Sequence, residues 1–306
     1  GDVYKRQYPS LPAGLMVGSF NAGVGHNANV RMFSGGGDVV WRGRATIGLN
    51  DLVIGISAFE GVIVNAGTTG DITLDGVAVG KSTAAGMDIN GYRLGTASSS
   101  YLTVDGDILF TGSATGATNF NVGTQLGSSA GFPIILAATG AGTVTVRGAT
   151  SGAAPDINLT DVQLLSGSGS VSVLADRAGG KITQGGTVSL KLGQTPSSVV
   201  TSSSASVLLR ADVFEVTSTN GLAINTTGAV ELTSFNTTGF TAAPGISRLD
   251  VGGPVASAAT NIGSFTFGRM SNNSAVTLSA GGINARGPVR LYGTNLTIGI
   301  PLRTDA

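Results

Sequence analysis

The chain has 306 residues, zero formal net charge and no cysteine; 49 residues are glycine, 11% are charged and 6% are aromatic. The absence of thiols excludes disulfide staples and thiolate metal sites. Charges are balanced, 17 cationic against 17 acidic, so no electrostatic footprint for nucleic acid exists. No apolar run reaches the roughly 18 residues that a membrane-spanning helix needs.

Asp2-Val3-Tyr4-Lys5-Arg6-Gln7 resembles the in-frame translation of a sequencing-library adapter. Residues 1–7 are therefore set aside from fold reasoning. Residues 8–29 read as an irregular lead-in and 30–306 as one repeat region. The whole reads as an internal piece of a longer protein.

From Val30 onward one unit keeps returning: apolar residues at alternate positions, polar residues between them, then Gly, Asn or a small residue. Early examples are Val39 to Trp41, Ala45 to Leu49, Leu52 to Ile56, Val62 to Val64 and Ile72 to Leu74. Later ones include Leu102/Val104, Ile108/Phe110, Val144/Val146, Val171/Val173, Val207/Leu209, Leu222/Ile224, Val230/Leu232, Phe265/Phe267 and Val289/Leu291. Alternation of period two predicts strands with one buried and one wet face. Without a sustained three-to-four-residue apolar period, no long helix is expected.

Val171, Val188, Val207 and Val230 stand roughly 17 to 23 residues apart, a scale typical of solenoids. The fold class expected is all-β: a right-handed parallel β-helix (β-solenoid) with narrow aliphatic interior, carrying projecting hairpins. Roughly 15 turns at about 4.8 Å each would give a rod on the order of 70 Å. Glycines at unit ends, such as Gly70, Gly80, Gly148, Gly221 and Gly293, suit corners that require positive φ. The alternative is an array of antiparallel β-sandwich domains. It draws on the Asp75-Gly76 and Asp105-Gly106 pairs, which are hairpin signals between alternating runs. A single Trp and the lack of a period near 100 residues count against that alternative.

Gly281 to Thr304, GGINARGPVRLYGTNLTIGIPLRT, resembles the repeats of filamentous-haemagglutinin-like exported surface proteins of Gram-negative bacteria. The shared pattern is strand, Gly287-Pro288, the Val289/Leu291 strand, Gly293 and the Leu296/Ile298 strand. Gly228 to Asn236 and Ser274 to Gly282 are weaker instances. The resemblance implies a parallel β-helix, export through an outer-membrane partner, a cell-surface location, and adhesion to glycans or proteins of host or neighbouring cells.

Candidate sites are few. His26 is the sole histidine, and a surface loop is its simplest role; Gly25-His26 resembles the Gly-His-Gly of polygalacturonases, but Asn27 replaces the second Gly. Asp105 and Asp107, if on one strand face, could bind Ca²⁺ or act as an acid/base pair; turn chemistry explains them more simply. Gly35-Gly36-Gly37-Asp38 resembles half of a calcium-binding nonapeptide. Trp41 with Arg42 and Arg44 could form a carbohydrate platform or be packing. Asn158, Asn225, Asn236, Asn272 and Asn295 head Asn-x-Ser/Thr sequons. The expectation is a non-enzymatic adhesive stalk with no catalytic, metal or cofactor residues; the alternative is a β-helical polysaccharide lyase or hydrolase.

Overall fold

The computed structural model describes residues 13–17, 30–46, 52–58, 61–89, 98–117, 120–127, 133–185, 190–193, 203–252 and 262–304. The N-terminal seven residues, His26 and Val188 lie outside these.

Every described regular element is a strand. The first coil is β1 (Ala13–Val17), β2 (Arg31–Phe33) and β3 (Val39–Thr46). The second is β4 (Leu52–Ala58), β5 (Ile63–Asn65) and β6 (Ile72–Val79). Next come β7 (Thr83–Ile89), β8 (Ser99–Thr103) and β9 (Ile108–Thr115), then β10 (Phe120–Leu126), β11 (Ile134–Ala138) and β12 (Val144–Thr150). The fifth and sixth coils are β13 (Ile157–Leu159), β14 (Val162–Ser166), β15 (Ser170–Leu174) and β16 (Lys181–Gln184), β17 (Leu190–Gly193), β18 (Ser206–Arg210). They are followed by β19 (Val213–Val216), β20 (Leu222–Asn225), β21 (Ala229–Thr233) and by β22 (Gly245–Ile246), β23 (Leu249–Val251), β24 (Ser264–Phe267). The last are β25 (Val276–Leu278), β26 (Gly281–Ala285), β27 (Val289–Leu291), β28 (Leu296–Ile298) and β29 (Leu302–Thr304).

Up to β26, every strand but β22 pairs with the strand three places on, always in parallel. Three long sheets result: sheet I with eight strands from β1 to β22, sheet II with ten from β2 to β29, and sheet III with nine from β3 to β27. β25 and β28 form a short fourth sheet where sheet I ends. The chain is a right-handed parallel β-helix. The antiparallel alternative fails, because no described strand pairs antiparallel. Both hairpin signals have other roles. Asp75 and Gly76 sit inside β6, and Asp105 and Gly106 form a corner between β8 in sheet II and β9 in sheet III.

The expected repeat was too short. Asp38 and Asp71 are equivalent at a separation of 33 residues, and Asp71 and Asp107 at 36. Val171, Val207 and Val230 are indeed stacked on one another, the last two 23 residues apart. The described strands make nine complete coils and part of a tenth, so at about 4.8 Å per coil the axis is roughly 45 Å long. The lead-in is not wholly irregular, since β1 pairs with β4 and completes the first coil.

The interior follows from alternation. In β3, Val39, Trp41, Gly43 and Ala45 are buried, while Val40, Arg42, Arg44 and Thr46 are exposed. Parallel register then places like on like: Trp41, Leu74, Phe110, Val146, Val173 and Leu209 stack up sheet III. Trp41 and Phe110 both meet Tyr101 edge-on, at ring-centroid distances of 6.2 and 4.9 Å, a geometry aromatic quadrupoles favour.

A second constraint is set by two glycine rows. Gly43, Gly76, Gly112 and Gly148 stack in sheet III. Gly55, Gly86 and Gly123 occupy matching places in sheet I, each between paired neighbours. A methyl group on Gly43 or Gly112 would overlap the carbonyl oxygen of Gly55 or Gly123. The two backbones therefore touch, and space rather than φ demands glycine. This seam separates the main core from a slim alanine column of Ala45, Ala78, Ala84 and Ala114 beside Val53. Gly148 is thus a seam residue, not a corner. Among the five expected corner glycines only Gly221 has positive φ, 61°.

Gly112→Ala is expected to cost about 3 kcal/mol in urea denaturation, because overpacking here pushes backbone against backbone. Tyr101 gives a second test. It is fully buried and its hydroxyl finds no hydrogen-bond partner among the described residues, so Tyr101→Phe should be neutral or stabilising by about 1 kcal/mol. Burial also raises the Tyr101 pKa far above its ordinary value. An unfolded tyrosine deprotonates near pH 10, so stability from neutral Tyr101 is complete below about pH 10 and declines as pH rises past it. The decline should flatten in Tyr101→Phe, measured at about pH 8 and about pH 11.

Candidate functional site

The chemistry-bearing side chains collect at two corners, where the chain leaves one sheet for the next. At the corner from sheet II to sheet III, carboxylates form a ladder. Asp38 Oδ1 accepts from the Asp71 amide at 3.0 Å, and Asp71 Oδ1 accepts from the Asp107 amide at 2.7 Å. Asp107 Oδ1 accepts from the Thr143 amide at 2.7 Å and its hydroxyl at 2.9 Å. Asp105 Oδ1 accepts from the Ala141 amide at 3.0 Å. Each carboxylate caps a backbone N–H of the following coil. Just inside, Thr103 donates to the Gly70 carbonyl at 2.9 Å, Ser166 to Gly142 at 2.7 Å and Thr226 to Ala205 at 2.6 Å. These hydroxyls satisfy carbonyls that a sharp bend turns inward.

The corner from sheet III to sheet I is buried and more strongly tied. Asp156 is fully buried; its Oδ1 accepts from the Thr150 amide at 2.7 Å and from Arg177 Nε at 2.6 Å, and its Oδ2 from the Lys181 amide at 2.7 Å. Arg177 also donates to Thr150 Oγ1 at 3.0 Å. Asp212, likewise fully buried, reaches in both directions along the axis. It accepts from the Gly179 amide one coil below at 2.8 Å, and from the Asn236 amide and Nδ2 one coil above at 2.7 and 2.6 Å. Asn272 continues the column, accepting from the Phe240 amide at 3.2 Å and donating to the Tyr292 carbonyl at 2.7 Å. Ion pairs add links between coils: Arg210 Nε to Asp176 at 2.7 Å and Lys181 to Glu215 at 2.8 Å. The hydrogen bond from Arg210 to Asp176 holds that guanidinium above its ordinary pKa.

The expected candidates take their places in this frame. Asp105 and Asp107 lie in a corner rather than on one strand face, so the shared-face geometry of a cation or acid/base pair is not formed. Gly35 to Gly37 lead into the corner and Asp38 opens the carboxylate ladder. Trp41 is only 4% exposed and points opposite to Arg42 and Arg44, so it is packing and no platform. Among the sequon residues, Asn236 and Asn272 are structural links, Asn158 accepts from Thr183 Oγ1 at 3.0 Å, and Asn295 is exposed. Among the described residues no group of three or more His, Cys, Asp or Glu side chains is placed to hold a metal ion, and no helix is long and apolar enough to cross a membrane.

Sequence reading missed Asp156 and Asp212, and singled out Asn272 only as the head of a sequon. Comparison with known protein families, curated proteins and solved structures finds no match for this chain.

The two corners should respond differently to mutation. Asp156→Ala leaves Arg177 without its buried partner and is expected to cost about 3–5 kcal/mol. Asp107→Ala removes an exposed acceptor and should cost about 1 kcal/mol, with Asp107→Asn close to neutral because its amide oxygen accepts the same bond. Denaturation midpoints of the three variants at constant slope check the order.

Proposed function

We propose that this chain is a structural segment of an exported, adhesin-like surface stalk. Stacked coils hold a contact region away from a cell. A neutral exterior bearing half-exposed Thr73, Thr111, Thr145 and Ser172 on one sheet makes many weak polar contacts with glycans or proteins of host or neighbouring cells. One observation carries the reading. The carboxylates of Asp156 and Asp212 are buried and accept hydrogen bonds from neighbouring coils, whereas a lyase or hydrolase needs carboxylates open to substrate. An axial rod braced at its corners suits pulling along its length. The extracellular location and an outer-membrane export partner rest on the resemblance of Gly281 to Thr304 and belong to the same proposal.

Stretching the tethered chain along its axis in optical tweezers should release coils singly or in small groups. Coils of this size should each add roughly 80–120 Å of contour. One abrupt loss of the whole structure at low force would count against a mechanical role. Incubation with pectin, alginate and related glycans should give no depolymerisation; turnover that disappears in Asp105→Asn or Asp107→Asn would make the chain an enzyme instead.

A further inference from the structure

The alanine column ends partway along the rod. On sheet III, Ala45, Ala78 and Ala114 stack beneath Thr150, and on sheet I, Ala84 stacks beneath Asn121. Above this level the pairing stops short. β12 pairs with β9 over its whole length, but with β15 only over residues 144–147. β10 pairs with β7 from Phe120 onward, but with β13 only from Thr124. The strand halves that wall the alanine column, residues 120–123 and 148–150, thus form an internal sheet edge on which no described strand lies. Side chains and one carbonyl cover this edge instead, which shields it from stray pairing. Asp156 Oδ1 accepts from the Thr150 amide at 2.7 Å and hydroxyl at 3.1 Å, and the Asp156 carbonyl accepts from the Thr124 amide at 2.9 Å. That carbonyl fills the space that a methyl group on Gly123 or Gly148 would need. Arg177 reaches down from the next corner of the stack. Its Nε donates to Asp156 at 2.6 Å, and its Nη2 to Thr150 Oγ1 at 3.0 Å and to the Gly152 carbonyl at 2.6 Å. The guanidinium so holds down the excursion 151–155, whose first three residues are exposed.

We propose that Arg177 is a latch on this internal edge, and that the alanine column opens from there as a unit separate from the main core. Release of the latch frees the excursion 151–155 and exposes the upper edge of residues 120–123 and 148–150. Opening then travels down the column, past Ala114 towards Ala84 and Ala78. The other halves of the same strands stay closed, because residues 144–147 and 124–126 keep strand neighbours on both sides. Side-chain size argues the same way. Alanine buries far less apolar area than the Leu, Ile and Phe of the main core, so the column closes with a weaker driving force. Regions with little apolar burial are the ones that open locally while the rest of a fold persists. The inference is independent of the adhesive reading.

The test is amide hydrogen exchange of the full chain, read by mass spectrometry with fragmentation that resolves single amides. Arg177→Gln is expected to speed exchange at least tenfold over residues 148–154 and 121–123, and by a smaller factor over 112–116. Residues 144–147 and 207–210 should change less than twofold. Elastase should cut between the small residues Ala153 and Ala154 at least tenfold faster in the variant. Thr150→Val removes a hydroxyl that Arg177 grips and leaves the pair with Asp156 in place. It should give the same pattern at smaller amplitude, and it carries the test should Arg177→Gln fold poorly. Equal acceleration in both halves of β12 would mean that the coils open as one unit, and overturns the proposal. Acceleration confined to 151–154 makes Arg177 a loop anchor only and overturns it too, as does unchanged exchange over 148–154 in both variants.

Discussion

Parallel register is the constraint on which everything else depends. Each coil lies about 4.8 Å from the next, so a side chain pointing inward meets its equivalents directly above and below. A buried position must therefore suit its counterparts in two other coils as well as its own. Apolar groups satisfy this at almost any size, which is why Leu, Phe and Val exchange along the stack of Leu74, Phe110, Val146 and Val173. Where a coil bends it frees backbone amides and carbonyls that polar groups can satisfy. Asp38, Asp71, Asp107, Asp156 and Asp212 stand at corners for that reason. Burial of Asp156 and Asp212 is tolerable because each accepts at least three hydrogen bonds, one from a guanidinium in the case of Asp156.

The glycine seam is the same constraint applied between sheets instead of between coils. Four stacked positions on sheet III and three on sheet I lack side chains, and the two backbones close to contact. What lies beyond is too thin for anything larger than the Ala and Val side chains found there. The seam thus divides a wide dry compartment from a slim one. The aromatic cluster of Trp41, Tyr101 and Phe110 sits in the wider one.

Much of this was legible beforehand, and the failures have physical causes. Alternation marked Val171/Val173, Val207/Leu209 and Val230/Leu232 as strands, and the structure stacks all three pairs. The repeat length was misjudged because the alternating run is shared by all three sheets, so a sheet II strand such as Leu222/Ile224 reads the same as a sheet III strand. Asp-Gly was misread at Asp75-Gly76 because the pair's turn preference is local, whereas Gly76 is required by a contact with Gly86 on another strand. Composition gave no hint of the buried Asp156 and Asp212. A lone carboxylate in a loop carries no mark of burial until its partners, 21 to 33 residues away, are brought beside it.

Coil circumference is not conserved even within this one chain. Equivalent positions are 36 residues apart between Asp71 and Asp107 and 23 apart between Ser203 and Thr226, yet the rungs they connect stay in register. Part of the difference lies in the strands themselves, eight residues long in β6 and β9 and five in β18 and β21. Such a scaffold can acquire or shed whole excursions without disturbing the column inside. Novelty in this architecture is therefore cheapest at the perimeter, where a longer bulge alters what the rod presents to its surroundings and leaves its spine as it was.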